Sequence, residues 1–256
     1  MSYKELAPSF YNRVINVVRE VGEGEKLLNV GCSDGFMERK LQGKFSKMVG
    51  LDINAADIEV AKSGKANEME FIVGAAEKLP FPANTFGKII CMEVLEHVED
   101  DRKALAEMYR VLKKNGELIL TVPQRKYPWT FDPINAFLEK VFRFHLPLGV
   151  WGYGDDRVYT DAELRKLFGE AGFKISGTRY VSHYFLGLCE NYISQILQPL
   201  VKADPSNKAG RGKAAISRDK HPPKILTKIR DFVIAADERL FPESKTSIDI
   251  LVRAVK

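Results

Sequence analysis

Cysteine is scarce in this chain of 256 residues: Cys32, Cys91 and Cys189 are the only three. Their odd number and wide spacing exclude a disulfide framework and fit a reducing compartment. No apolar run reaches the ~20 residues a helix needs to span a bilayer. The start, Met1-Ser2-Tyr3-Lys4-Glu5, holds no apolar signal core. The chain therefore reads as cytoplasmic. Internal repeats are absent, and so is any Asn/Asp-Pro-Pro-Tyr/Phe run of the base-flipping kind, so nucleic acid is not expected as a partner. Neither sign of charge dominates overall, with a net of +5. The distribution is uneven, however: residues 1–123 carry a net −2 and residues 124–256 a net +7. A basic second half is either an ordinary solvated surface or a face turned toward something acidic. Peripheral contact with a membrane surface is the sharper of the two expectations.

The first half alternates strand and helix patterns. Strands are predicted over 27–31, 47–52, 69–73, 87–92 and 117–123, with helical stretches between them, the rhythm of a mostly parallel sheet covered on both faces. Ahead of them, Tyr3 to Val21 has helical apolar spacing through Phe10, Val14, Val17, Val18 and Val21. Residues 124–152 break the rhythm, with Pro133 at a predicted helix start before Ala136–Phe144. Thr160 stands three residues ahead of Glu163, as in a capping box. The helix it opens ends near Gly169 or Gly172, and a strand over Phe173–Val181 follows. Residues 202–224 are polar, basic and glycine- and proline-containing, and read as a linker. A helix is predicted over Lys224–Leu240, then a final strand through Ile248, Ile250 and Val252.

Ligands of open parallel sheets bind at the carboxyl ends of the strands, so the turns there carry the chemistry. The run Leu27-Leu28-Asn29-Val30-Gly31-Cys32-Ser33-Asp34-Gly35 reads as a buried strand, a glycine turn and a helix start, and Asp52 ends the next strand 17 residues on. Glycines let a backbone approach a ligand, and a carboxylate placed there accepts hydrogen bonds from ribose hydroxyls. A helix N-terminus after Gly35 would attract a carboxylate. A dinucleotide oxidoreductase fits poorly, because its Gly-x-Gly-x-x-Gly pattern meets Ser33 and Phe36 here.

At this point the sequence resembles the class I S-adenosylmethionine-dependent methyltransferases, with Asn29 in place of the usual acid and Ser33 in place of the central glycine. Gly74-Ala75-Ala76-Glu77-Lys78-Leu79-Pro80-Phe81-Pro82 is similar to the type 11 family's Gly-Asp-Ala-Glu-x-Leu-Pro-Phe-Pro, with Ala75 where an acid contacts adenine. Cys91-Met92-Glu93-Val94-Leu95-Glu96-His97-Val98, Arg110–Glu117 and Ala171-Gly172-Phe173 resemble further elements of that family. Asn115-Gly116 suits a tight turn into the fifth strand. Five motifs in family order imply a doubly wound, Rossmann-like α/β fold. Its sheet would be seven-stranded and mostly parallel, with helices on both faces and helical inserts in the C-terminal half. The whole of 1–256 would form a single domain, with 1–123 the cofactor-binding half and the inserts 124–158 and 184–244 building an acceptor pocket or lid.

The resemblance implies S-adenosylmethionine as cofactor and S-adenosylhomocysteine as product. The cofactor-binding residues it implies are Asn29, Gly31, Cys32, Ser33, Gly35, Asp52, Ile53, Ala75, Ala76, Glu77 and Glu93, with Tyr11 on the first helix as a lid residue. His97 is the candidate base, since a proton leaves many alcohol or amine acceptors; His145, His183 and His221 are weaker candidates. The run around Glu93 also looks like the corresponding segment of ubiquinone-pathway O-methyltransferases, which act on prenylated catechols and are linked to a divalent metal. Glu93, Glu96 and His97 would share a helix face and could gather such an ion, yet no metal is assigned to the site. Trp129, Phe131, Phe137, Phe142, Phe144, Trp151, Tyr153 and Tyr184 in the inserts suit a planar or hydrophobic acceptor. The expected activity is methyl transfer to a small-molecule or lipid-like acceptor. The alternative is a catalytically silent binding or regulatory module, because Asn29, Ser33 and Ala75 all depart at cofactor contacts.

Overall fold

The computed structural model describes residues 7–126, 131–144, 157–189 and 224–256. In chain order the elements are α1 (Pro8–Val21), β1 (Gly24–Val30), α2 (Phe36–Lys40), β2 (Phe45–Asp52), α3 (Ala55–Ser63), β3 (Met69–Val73), β4 (Phe86–Met92), α4 (Asp101–Val111) and β5 (Leu112–Pro123). There follow α5 (Pro133–Phe142), α6 (Asp161–Glu170), β6 (Lys174–Val181), α7 (Tyr184–Leu188), α8 (Lys224–Leu240) and β7 (Asp249–Val255). The seven strands form one sheet in the order β3-β2-β1-β4-β5-β7-β6. Strands β3 to β5 pair in parallel, and β7 runs antiparallel to β5. The order reverses direction between β1 and β4, the point at which a crevice opens at the carboxyl ends.

Leu27, Leu28 and Val30 of β1, Ile89 and Ile90 of β4, and Leu118 to Leu120 of β5 are all buried. These runs are continuous because helices cover both faces of the strands. The helices start where polar side chains meet their orphan N–H groups. Asn54 accepts from Ala56 N ahead of α3, and Asp100 accepts from Lys103 N ahead of α4. The capping box expected at Thr160 and Glu163 is present on α6.

The structure departs from the local reading in three places. Strand β5 starts at Leu112, directly off α4, and Asn115-Gly116 is an irregularity inside it. The cause is non-local: Asn115 N donates to Lys256 O and Lys256 N to Gly116 O, both at 3.1 Å, so Lys256, just past β7, closes this bend. Helix α2 is only five residues long, so its N-terminus carries little of the dipole expected to attract a carboxylate. The run Glu93–Val98 is a turn and not a helix. Glu93 takes φ 54°, a left-handed conformation that no helix accommodates, so Glu93, Glu96 and His97 share no helix face.

The chain divides into two compact units. Val14–Arg125, Asp155–Arg179 and Asp249–Lys256 form the first, which holds most of the sheet. Met1–Arg13, Lys126–Gly154 and Tyr180–Ile248 form the second. Within the second, Asp237 of α8 is fully buried and accepts from His183 N at 2.5 Å and Phe185 N at 2.7 Å, capping α7 from a distant helix. Removing it would leave buried donors without partners, each worth about 1–3 kcal/mol. Asp237→Ala is therefore expected to lower unfolding free energy by about 3 kcal/mol in urea titrations. A loss under about 0.5 kcal/mol, the ordinary surface range, would contradict this role.

Candidate functional site

The site is built from the turns that leave β1, β2, β3 and β4. The first is a left-handed staircase: Gly31 has φ 77°, Ser33 φ 48° and Gly35 φ 77°. Serine at the middle step costs about 1 kcal/mol relative to glycine. Two hydrogen bonds offset it, from Ser33 N to Asp52 Oδ2 at 2.8 Å and from Ser33 Oγ to Asp57 Oδ2 at 3.2 Å. Gly31 N and Cys32 N both donate to Leu51 O, locking the turn to the end of β2. A side chain at Gly31 would run into Val94 Cγ2, and one at Gly35 would lie 2.8 Å from the Phe71 ring. Both glycines are required by close approach as well as by φ.

Asp52 stands at the centre. Its Oδ2 accepts from Ser33 N and its Oδ1 from Asn54 N at 2.9 Å, and each oxygen keeps a lone pair for a further donor. Gly74 N donates to Asp52 O, tying the turn after β3 to the same strand end. Ile53 follows with 76 % of its surface exposed, and Val73 at the end of β3 is also exposed. Exposed branched side chains beside a carboxylate suit a planar ring next to a ribose. Ala76 is buried, and Glu77 is committed to Glu99 N at 3.0 Å. At the end of β4, Glu93 accepts from Thr121 Oγ1 at 2.8 Å, while Glu93 N donates to Thr121 O.

Cys32 is buried, and desolvation, reinforced by the nearby Glu38 and Asp52 carboxylates, pushes its thiol far up, so it packs and does not react. His97 is half exposed, its N–H bonded to Val94 O and its Nε2 3.8 Å from Glu96 Oε1. Among the described residues no three His, Cys, Asp or Glu side chains gather in a way that could hold a metal ion.

Asn29, Gly31, Cys32, Ser33, Gly35 and Asp52 thus form one connected cluster, with Ala75, Ala76, Glu77 and Glu93 on the neighbouring turns. Tyr11 belongs to the second unit, where the Arg230 guanidinium lies 3.5 Å from its ring centroid. His183 is buried with Nδ1 on Thr246 O, a structural role. His145, His221, Trp129, Trp151, Tyr153 and most of the 202–224 linker lie outside the described residues. Phe131 is buried, Phe137, Phe142 and Phe144 are exposed, and Tyr184 packs 4.6 Å from Phe241.

Sequence reasoning missed Glu38, Asp57 and Tyr159. Glu38 is fully buried and accepts from Asn29 Nδ2 at 2.9 Å. Its signal was a glycine, Gly50, in the interior of β2. Tyr159 is buried with its hydroxyl 3.0 Å from Leu95 O and 3.2 Å from Asp101 Oδ2, which pins the turn carrying His97. No local signal marks either contact, since Tyr159 reaches 64 residues back along the chain.

A left-handed glycine turn after β1, a carboxylate at the end of β2 and a doubly wound sheet with one reversed strand define a Rossmann-like fold. Residues 28–120 match the model of the methyltransferase domain family. The chain is 30 % identical over 175 residues to a ubiquinone/menaquinone biosynthesis C-methyltransferase of Cronobacter sakazakii, covering 60 % of this chain and 68 % of that one. It is 31 % identical to a demethylmenaquinone methyltransferase of Listeria monocytogenes, covering 64 % and 75 %. It is 33 % identical to the mitochondrial ubiquinone biosynthesis O-methyltransferase of Schizosaccharomyces pombe, covering 69 % of this chain and 62 % of that protein's length. An S-adenosylmethionine-dependent methyltransferase structure from Mesorhizobium loti superposes with TM-score 0.55 at 15 % identity, covering 98 % of each chain. The chain belongs to the methyltransferase family of these relatives.

Proposed function

We propose that this protein transfers a methyl group to an oxygen or carbon of a phenolic, quinol-like acceptor, in a small-molecule or lipid-like substrate. The observation that carries the reading is the agreement of the relatives, two named for ubiquinone or ubiquinone/menaquinone biosynthesis and one as a demethylmenaquinone methyltransferase. The residues fit the cofactor. Asp52 keeps a lone pair on each carboxylate oxygen for the ribose hydroxyls of S-adenosylmethionine, beside the exposed Ile53. When bound, the cofactor supplies a methyl group already activated on a sulfonium.

The chain's own work is then positional: Asp52 holds the ribose, Ile53 flanks the adenine, and the first turn orients the amino-acid end. Ala75 offers no acid to the adenine, and Glu77 is engaged elsewhere, so the backbone of Ala75 and Ala76 reads that ring. His97, half exposed on a pinned turn, takes the phenol proton. Water exclusion and alignment supply most of the rate.

A lipid-like acceptor is supported by exposed apolar stripes on two helices of the second unit, Phe137 and Val141 of α5 and Ile225, Ile229 and Phe232 of α8. Exposed Lys140, Lys224 and Lys228 accompany them, as in helices that rest on anionic bilayers. Among the described residues no helix is long and apolar enough to cross a membrane. The test is methylation of a prenylated catechol carried in anionic vesicles, followed by mass spectrometry. A one-methyl mass gain, faster in anionic than in neutral vesicles, is expected. Cofactor binding without turnover on any quinol would instead point to a silent binding module.

A further inference from the structure

The buried Asn29–Glu38 pair is the feature that the ordinary site does not explain. Asn29 lies on β1 with 2 % of its surface exposed, and Glu38 on α2 with none. Asn29 pairs in register with Gly50 of β2. A Cβ at Gly50 would stand 2.7 Å from Glu38 Oε1 and 2.6 Å from Phe71 Cδ1. The glycine thus leaves the space in which the carboxyl group sits. Glu38 Oε1 accepts from Asn29 Nδ2 at 2.9 Å, while Glu38 Oε2 is buried with no hydrogen-bond partner among the described residues. A buried carboxyl with an orphan oxygen costs a few kcal/mol and calls for a reason.

An asparagine amide has a donor edge and an acceptor edge, and on its own either can face a ligand. In this structure the choice is made: Asn29 Nδ2 donates to Glu38 Oε1, and Oε2, the oxygen without a partner, is left to carry the proton when Glu38 is neutral. The acceptor Oδ1 is then the edge left over. The cofactor's amino-acid end carries an ammonium group, which needs acceptors and is repelled by an amide NH₂. We propose that Glu38 is a positioning residue that orients Asn29, so that the amide–carboxyl pair presents an acceptor to the cofactor ammonium where relatives carry a single acid on β1. The inference rests on the cofactor site described above and adds a residue to it.

The carboxyl is supplied from α2, so the pair has a built-in exchange test. In Glu38→Gln the two amides can pair in either sense, and the orientation of Asn29 is lost. In Asn29→Asp two carboxyl groups face each other in a buried site and must share a proton. In the double variant Asn29→Asp/Glu38→Gln, the Gln amide donates to the Asp carboxylate and a single orientation returns. Affinities for S-adenosylhomocysteine and for 5′-methylthioadenosine, which lacks the amino-acid end, are measured by calorimetry on the full chain, with a melting curve for each variant.

Glu38→Gln is expected to weaken S-adenosylhomocysteine about tenfold, roughly one charge-assisted hydrogen bond, and 5′-methylthioadenosine less than about twofold. The double variant is expected to return to within about threefold of wild type. Equal loss for both ligands in Glu38→Gln would show a merely structural role and overturn the proposal. So would a double variant no better than the weaker single. Failure of the wild-type protein to bind either nucleoside would instead overturn the cofactor-site reading, and the proposal with it.

Discussion

Asp52→Ala is expected to lose at least about a hundredfold in affinity for S-adenosylhomocysteine, near 3 kcal/mol. Two effects combine. The carboxylate is the acceptor proposed for the ribose hydroxyls, and charge-assisted hydrogen bonds contribute about 1.5–3 kcal/mol each. It also holds the site together, since Oδ2 takes Ser33 N at 2.8 Å and Oδ1 takes Asn54 N at 2.9 Å. Without it, Ser33 loses the partner that offsets its left-handed φ of 48°, and the staircase relaxes. Asp52→Asn separates the two effects: it keeps one acceptor oxygen but turns an NH₂ toward one of the backbone donors, so an intermediate loss is expected. Calorimetry decides the matter, with a melting curve to verify folding. A folded Asp52→Ala protein that binds within threefold of wild type would remove Asp52 from the ribose site.

Stability is expected to fall by about 3 kcal/mol between pH 5 and pH 8, and Glu38 is the cause. Burial raises its carboxyl from the ordinary value to about 7, against a downward pull from the Asn29 hydrogen bond and from Arg39, and with a further push from Asp34. Below the unfolded value of 4.5 both states hold the proton, and the contribution is fully present. As pH rises, the unfolded chain releases the proton first while the folded chain keeps it, so the unfolded state gains and stability drops until pH passes 7. Glu38→Gln keeps an acceptor for Asn29 and cannot ionise. Urea titrations at pH 5, 6.5 and 8 should show the wild-type curve sloping and the Glu38→Gln curve flatter by that difference. Identical slopes for the two proteins would mean that Glu38 does not carry a proton at neutral pH.

Asp52 and Glu38 mark what could and could not be read locally. Asp52 was legible because strand, glycine turn, helix and second strand follow one another within about two dozen residues, and each has its own periodicity or turn chemistry. The same locality made the Thr160–Glu163 box, the α8 boundaries and the final strand readable. Glu38 was not legible, because an acid within a short helix reads as solvent-facing until β2 supplies Gly50 beneath it. Asn115-Gly116 was misread for a related reason. Locally it is a turn, but Lys256, just past β7, pairs with it and turns it into a bend inside β5. The stretch after β4 looked helical by spacing, yet Glu93 takes a left-handed φ while both its backbone and its side chain meet Thr121.

The amino-acid sequence alone determined the α/β class, the order of the site turns, the family and the place of Asp52 at the end of the second strand. All of these rest on contacts between residues close in the chain, where hydrophobic period and glycine placement leave few alternatives. Tertiary structure alone decided which side chains complete the site: Glu38 against Asn29 and Gly50, Asp57 on Ser33, and Tyr159 on the turn of His97. Those pairings depend on how strands and helices stack, and burial, which turns an ordinary glutamate into a proton-holding one, is a property of the stack and not of any residue in it.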